Sequence, residues 1–324
     1  MESEAIMSQK KTTEIFHSPK NGFSLWKRIK ENKALLLMFT PGFLLILVFA
    51  YGPMYGLILA FKDYNMGLGI MGSSWVGLKH FRDLFSNQGA LIALKNTFII
   101  SFLKLLFGFP APIFLAILLN EVRQGTFKKI VQTVSYFPHF ISWVVVAGIM
   151  NSLLSPSTGS VNYVIKFFSG EPIFFMSDVK WFRPMLIISN IWKEIGWGSV
   201  IYLAALSSVP IELHEAAVID GASRLQRVRY ITLPSLKSIM VIMLLLQMGN
   251  IMSAGFDQIF NLYNPTVYSV SDIIDTYVYR IGIGQMMYSF NTAVGLFKSV
   301  VSFALILMVN YLTKRLSDGD TGIF

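Results

Sequence analysis

The chain has 324 residues, 54% of them hydrophobic and 14% charged, with a mean hydropathy of +0.56 and a formal net charge of +9. Soluble domains carry roughly 25% charged residues, so this composition excludes an ordinary soluble fold and calls for lipid as solvent. The absence of cysteine excludes disulfides, thiolate metal sites and cysteine nucleophiles. The positive charge lies beside apolar runs, which reads as membrane-flanking charge and not as a nucleic-acid surface.

Taken in chain order, residues 1–33 form a polar, basic tail with a short amphipathic helix predicted near Leu25, Trp26 and Ile29 at the membrane surface. A helix needs about 20 mostly apolar residues to cross a bilayer. Six stretches qualify: 34–60, 97–119, 131–154, 185–206, 238–256 and 291–313. The expected fold is therefore an all-α transmembrane bundle over residues 34–316, with a C-terminal tail at 317–324. The first apolar run is too long for a signal-peptide core and no A-x-A site follows it, so it reads as a retained span. With the N-terminus in the cytoplasm, the inner segments hold 16 Lys and Arg and the outer loops 8. That bias places both termini inside.

Charges within a bilayer are expensive and mark function or pairing. The fourth stretch carries Lys193 and Glu194, which either pair between helices or line a solute path. Helical spacing puts Asn190, Lys193 and Trp197 on one face. On the fifth stretch Gln247 and Asn250 share a face with Ala254. Together these stripes predict a wet wall, with Trp192, Trp197, Tyr136 and Trp143 available either to stack on sugar rings or to pack at interfaces. An unpaired Lys193 would favour an acidic solute. Lys104 and Lys298 are expected to snorkel or to pair with a neighbouring subunit. In the outer loop 257–290, Ser269 and Asp272 are spaced as a capping box. Ile273, Ile274, Tyr277, Val278 and Ile281 then repeat at helical spacing, predicting a helix that dips into the membrane face or braces a gate.

The segment from Ser207 to Lys237 is long for a connection between membrane helices. Pro210 suits a helix start, Ile211, Leu213, Ala217 and Val218 follow on a short helix, and Gly221 ends it. Ser223 and Gln226 then form a capping box, and Pro234 is expected to close the second helix. These residues fit either a knob for a partner, with Ala216 and Ala217 keeping one face flat, or a hairpin on lipid headgroups anchored by Arg224, Arg227, Arg229 and Lys237.

The order Glu215-Ala216-Ala217, three residues, Gly221, nine residues, Ile231, one residue, Leu233-Pro234 resembles the EAA loop of binding-protein-dependent ABC importer permeases. Asp220 and Ala222 also match, while Leu225 and Val228 stand where many relatives carry aromatics. Segments such as KNTFIISFLKLLFGFPAPIFLAILLNEV and WKEIGWGSVIYLAAL are similar to the oligosaccharide- and polysaccharide-type permeases, the alginate-importer permease among them, over residues 35–316. The resemblance implies a type I importer fold in the bacterial inner membrane. It implies a coupling role for Glu215, Ala216, Ala217, Asp220, Gly221, Leu233 and Pro234 at a cleft on an ATPase subunit. The path is expected from Asn190, Trp192, Lys193, Glu194, Trp197, Gln247 and Asn250. Implied partners are a second permease subunit in a heterodimer, two ATPase subunits and an external solute-binding protein seated on loops 61–96, 155–184 and 257–290. The expected cargo is an oligo- or polysaccharide, foremost an acidic glycan such as alginate, with a neutral oligosaccharide as the alternative.

No G-x-x-x-x-G-K-[ST] occurs, so ATP and Mg fall to the partners and no cofactor is expected in this chain. No G-x-S-x-G or H-E-x-x-H occurs either, and the four histidines lie far apart in sequence. A membrane enzyme is thus disfavoured. An ion-coupled secondary carrier needs intramembrane carboxylates or unwound helices, and Glu194 is the one mid-span acid.

Overall fold

The structure, a computed structural model, describes residues 29–316 apart from 31, 124 and 169. The basic tail up to residue 28, including Leu25 and Trp26, and the C-terminal residues from 317 lie outside the described residues. Among the described residues four helices are long and apolar enough to cross a membrane, or up to six spans if each of two bent helix pairs counts as one. Residues up to Gly56 form a unit of their own. It consists of helix α1 (Lys33–Ile46), a π-turn at Leu47–Tyr51 and the start of a 3-10 segment that runs to Phe61.

In the larger unit, a two-stranded antiparallel ribbon pairs Lys62–Asp63 with Ser74–Trp75. Helix α2 (Lys79–Ser86) follows. The second span then runs from Gln88 to Glu121 as α3 (Gln88–Leu103), a π-turn at Lys104–Gly108 and α4 (Pro110–Glu121). It starts nine residues before the expected 97 because Asn87 caps it, its side chain accepting from the Ala90 amide.

The stretch expected at 131–154 is not one straight helix. Helix α5 (Thr126–Tyr136) and a 3-10 turn at Phe137–Phe140 meet α6 (Trp143–Leu154) at 104°. Pro138 sits in the turn, and extended Ser142 caps α6 by accepting from the Val145 amide. Helix α7 (Ser160–Phe168) precedes α8 (Val179–Ser207), the fourth span. Helix α9 (Ile211–Ile219) leaves α8 at 73°.

The fifth span is an unbroken helix from Arg224 to Gly249, comprising α10 (Arg224–Arg227), a π-turn at Val228–Thr232 and α11 (Leu233–Gly249). It ends seven residues before the expected 256. Asn250 is already non-helical, and Ala254 and Gly255 are left-handed, with φ of 48° and 83°. Asn250 and Ala254 therefore do not continue the face of Gln247. Helices α12 (Phe256–Leu262), α13 (Tyr268–Ser271), α14 (Ile274–Gly284) and α15 (Tyr288–Leu316) complete the chain.

Helix α8 is the hub, packed along α4 and against α5 and α11. Glycines make the close approaches possible. A Cβ on Gly196 would run into the Ser135 carbonyl, and one on Gly198 would lie 2.9 Å from Pro112. Apolar clusters around Phe182, Leu186 and Ile259, around Leu84, Met252 and Ile274, and around Ala116, Tyr202 and Leu236 form the core. Many large apolar side chains on the spans stay exposed, such as Phe102, Phe114 and Phe303, as lipid solvent permits.

Candidate functional site

The loop between α8 and α11 folds as a knob. Helix α9 has no buried residue. Its end is a Schellman turn: the Gly221 amide donates to Val218 O at 3.0 Å and the Ala222 amide to Ala217 O at 2.8 Å. Gly221, at φ +82°, supplies the left-handed residue such a turn requires. Ser223 and Gln226 then form the capping box, with Ser223 N donating to Gln226 Oε1 at 2.7 Å and Gln226 N to Ser223 Oγ at 3.4 Å. Ile211, Val218, Ile219 and Leu225 are all exposed, Ile219 to 86%. Glu215, Ala216 and Asp220 are exposed and Ala217 is half-buried.

Pro234 does not close the second helix. A proline ring clashes with the carbonyl four residues back, here that of Tyr230. The π-turn Val228–Thr232 widens the helix at that point, so the chain passes Leu233 and Pro234 and continues to Gly249.

A cavity of about 450 Å³ lies among the second, fourth and fifth spans. Asn190, Glu194 and Trp197 of α8 line it, with Gln247 and Asn250 at the end of α11 and with Ser101 and Lys104 of the second span. Five of the seven expected path residues thus meet on one wall. Trp192 and Lys193 are not in that wall. Trp192 is exposed elsewhere on α8.

Lys193 has a different job. The break in the third span leaves carbonyls of Phe137–Phe140 without helical partners. Lys193 is buried and donates to Pro138 O at 3.3 Å and to His139 O at 2.5 Å. Its Nζ also lies 4.0 Å from Glu194 Oε1 and 5.7 Å from the Trp143 ring centre. Of its two expected roles the pairing one is observed, and its ammonium is occupied. Lys298 likewise pairs inside the chain, with Asp275.

His139, 55 residues from Glu194, escaped the sequence reading. Its Nδ1–H donates to Glu194 Oε2 at 2.9 Å, since a carboxylate only accepts. The imidazole stacks on Trp197 with ring centres 4.7 Å apart and planes 4° from parallel. The one sequence hint was its place beside Pro138, where a broken helix frees a side chain to reach a neighbour.

The end of the fifth span is tied to the second. Ser101 Oγ donates to Ile251 O, and Lys104 Nζ donates to Ala254 O at 2.8 Å. A Cβ on Gly255 would collide with Lys104 Nζ.

On the loop 257–290, the predicted helix starts later than Ser269. Ile273 takes the cap position, its amide donating to Thr276 Oγ1 at 2.9 Å. Ile273, Ile274 and Tyr277 are buried in protein, so this face packs against the bundle and does not dip into the membrane. Asp272 accepts from Arg280 Nη2 at 2.5 Å and from Thr276 Oγ1 at 2.7 Å. The carboxylate holds the Arg280 guanidinium above its usual value. Asn96 Nδ2 donates to Asp272 O at 3.0 Å and its Oδ1 accepts from Arg183 Nη2 at 2.8 Å, joining the second and fourth spans to this loop.

Broken helices around a cavity with polar groups in a largely apolar wall, joined to an exposed two-helix knob, are the arrangement of a membrane permease subunit. The chain belongs to the family of binding-protein-dependent transport system inner membrane components, whose model matches residues 108–318. It is similar to the protein LplB of Bacillus subtilis (strain 168), 47% identical over 91% of this chain and 92% of that protein. It is 46% identical to the polygalacturonan/rhamnogalacturonan transport system permease protein YteP of the same organism, over 96% of each chain. Its fold matches a chain of a bacterial alginate ABC transporter solved in complex with an alginate pentasaccharide-bound periplasmic protein. That match has a TM-score of 0.85 and 42% identity, covering 92% of this chain and 99% of the other.

This is therefore a non-catalytic, multi-pass inner-membrane subunit with the type I permease fold, working with a solute-binding protein and the other subunits of an ABC importer. Its relatives include saccharide permeases such as that for polygalacturonan/rhamnogalacturonan, and family membership rules out the ion-coupled carrier.

Proposed function

We propose that this chain carries an acidic oligo- or polysaccharide, a glycan of the alginate or polygalacturonan kind, across the inner membrane. It works as one of two unlike permease subunits, with both termini in the cytoplasm. The observation that carries this reading is the cavity wall, where amides of Asn190, Gln247 and Asn250, the ring of Trp197 and the ammonium of Lys104 converge. Sugar hydroxyls need amide partners, ring faces need an aromatic platform, and uronate carboxylates need a cation. The 46% identity to a polygalacturonan/rhamnogalacturonan permease and the likeness to an alginate transporter support the same cargo class.

In this reading the knob 207–237 enters a cleft on an ATPase subunit. Glu215 makes a polar contact there, Ala216 and Ala217 let backbones approach, and Asp220 and Gly221 set the bend before Leu233 and Pro234. Loops 61–96, 155–184 and 257–290 receive the solute-binding protein, and the basic tail 1–33 lies on the cytoplasmic face. The test is uptake by the complete importer in proteoliposomes. Oligomers of galacturonate and of alginate should be taken up in an ATP-dependent way and neutral maltooligosaccharides should not. Uptake of the neutral series alone would overturn the acidic cargo in favour of the second reading, a neutral oligosaccharide. The carboxylate of Glu194 in the same wall favours that second reading.

A further inference from the structure

We propose that Lys104 is the residue by which this permease reads the carboxylate of its solute, an assignment that rests on the acidic-glycan reading above. Of Lys104, Lys193 and Lys298, the lysines of the six apolar stretches read from the sequence, two have their carboxylate in the chain: Lys298 pairs with Asp275, and Lys193 lies 4.0 Å from Glu194. Lys104 has none. Among the described residues no carboxylate comes within ion-pair distance of its Nζ, and its one bond is the donation to Ala254 O. Glu194 shares the cavity but stays beyond ion-pair distance of Lys104: its Oε2 bonds His139 and its Oε1 lies 4.0 Å from Lys193.

Lys104 and Lys193 thus share one carboxylate in this part of the fold, Glu194, and Lys193 is the one within ion-pair distance of it. An ammonium in a membrane-embedded wall without a counter-ion is costly. An ammonium has three donors, of which the carbonyl takes one. Lys104 is also the lone cation among the described residues that line the cavity. The missing counter-ion is thus a monoanionic group arriving in the cavity, such as a uronate carboxylate. The setting favours discrimination: a carbonyl fixes Nζ at the left-handed break of the fifth span, and Asn190, Gln247 and Asn250 supply neutral partners for the hydroxyls of the same sugar.

The experiment compares Lys104→Gln, Lys104→Arg and Lys104→Met in the complete importer. The probes are trigalacturonate and its trimethyl ester, which lacks the three negative charges and carries three added methyl groups, a size difference common to every variant. The readout is the ratio of their half-saturating concentrations for stimulating ATP hydrolysis by the complete importer in proteoliposomes, every variant measured with the same binding protein so that its own selectivity cancels between variants. Gln keeps a donor for Ala254 O and loses the charge. The acid preference should fall about tenfold or more in Gln and Met and persist in Arg. If Gln keeps the wild-type preference, Lys104 is a tie for the fifth span and the assignment is overturned, while the acidic-cargo reading loses its support in the cavity wall and rests on the acid preference of the wild-type importer and on the relatives. If neither acid nor ester stimulates the wild-type complex but a neutral oligosaccharide does, both fail together. Should Met fail to assemble, the Gln and Arg pair decides alone.

Discussion

Gly221 offers the sharpest test of the coupling knob, because its contribution is purely conformational. Its φ is +82° and nothing lies within 4 Å of the position a Cβ would occupy. A side chain there meets no steric obstacle within the chain and only the left-handed backbone penalty, about 1–2 kcal/mol for alanine. That corresponds to a roughly 5–30-fold loss in the population of the native turn. Asparagine tolerates this conformation better and should cost less. Proline should cost most, since it fixes φ near −65° and removes the amide that donates to Val218 O at 3.0 Å. The predicted order of coupling is Gly, Asn, Ala, Pro. The assay is ATPase copurified per permease, followed by solute taken up per ATP hydrolysed in proteoliposomes. Wild-type assembly and uptake with Gly221→Pro would refute the docking of this turn in a partner cleft.

Three further predictions are more compact. Glu215→Lys replaces an exposed carboxylate, so the unfolding free energy of the solubilised chain should stay within about 0.5 kcal/mol of wild type while solute-stimulated ATP hydrolysis by the importer is lost; unchanged stimulation argues against a partner contact. Gly196→Ala drives a Cβ into the Ser135 carbonyl, an overpacking worth about 1–3 kcal/mol, and a detergent thermal melt that does not shift would contradict the helix contact. Single cysteines at Asn190, Trp197, Gln247 and Asn250 should react with a membrane-impermeant thiol reagent and be protected by solute, and a cysteine at Lys193 should not; the reverse pattern would move the path off this wall.

The spans were legible because hydropathy and length follow directly from the bilayer. So was the knob, since Pro210, Gly221, Ser223 and Gln226 are local signals that read the same in any tertiary setting. The breaks were harder. The 104° bend in the third span turns on Pro138 and on Ser142 acting as a cap, which a mean over 18 apolar residues does not register. The end of the fifth span at Gly249 carries no polar mark beyond Asn250, and its left-handed Ala254 and Gly255 are stabilised by Lys104, about 150 residues earlier in the chain. The same non-locality explains Lys193. Helical spacing put it beside Asn190 and Trp197, but its actual partners are carbonyls freed by a break elsewhere. Pro234 was read by the general rule for prolines, and the π-turn before it lets the helix continue past it.

These breaks bear on how the proposed coupling works. The knob is continuous with the cavity on both sides. On one side α8 carries Asn190, Glu194 and Trp197 and ends at Ser207, just before Pro210 and α9. On the other, the unbroken helix Arg224–Gly249 spans about 39 Å at 1.5 Å per residue and delivers Gln247 and Asn250 to the same wall. A displacement of the knob by an ATPase partner therefore reaches the cavity through two rods. The backbone beyond Gly249 is irregular and is held by Ser101 and Lys104 of the second span. Rod motion thus meets its first compliant joint where the solute would sit. Stiffening that joint without touching the knob should leave ATPase docking intact and slow transport, which separates the two ends of the same coupling path.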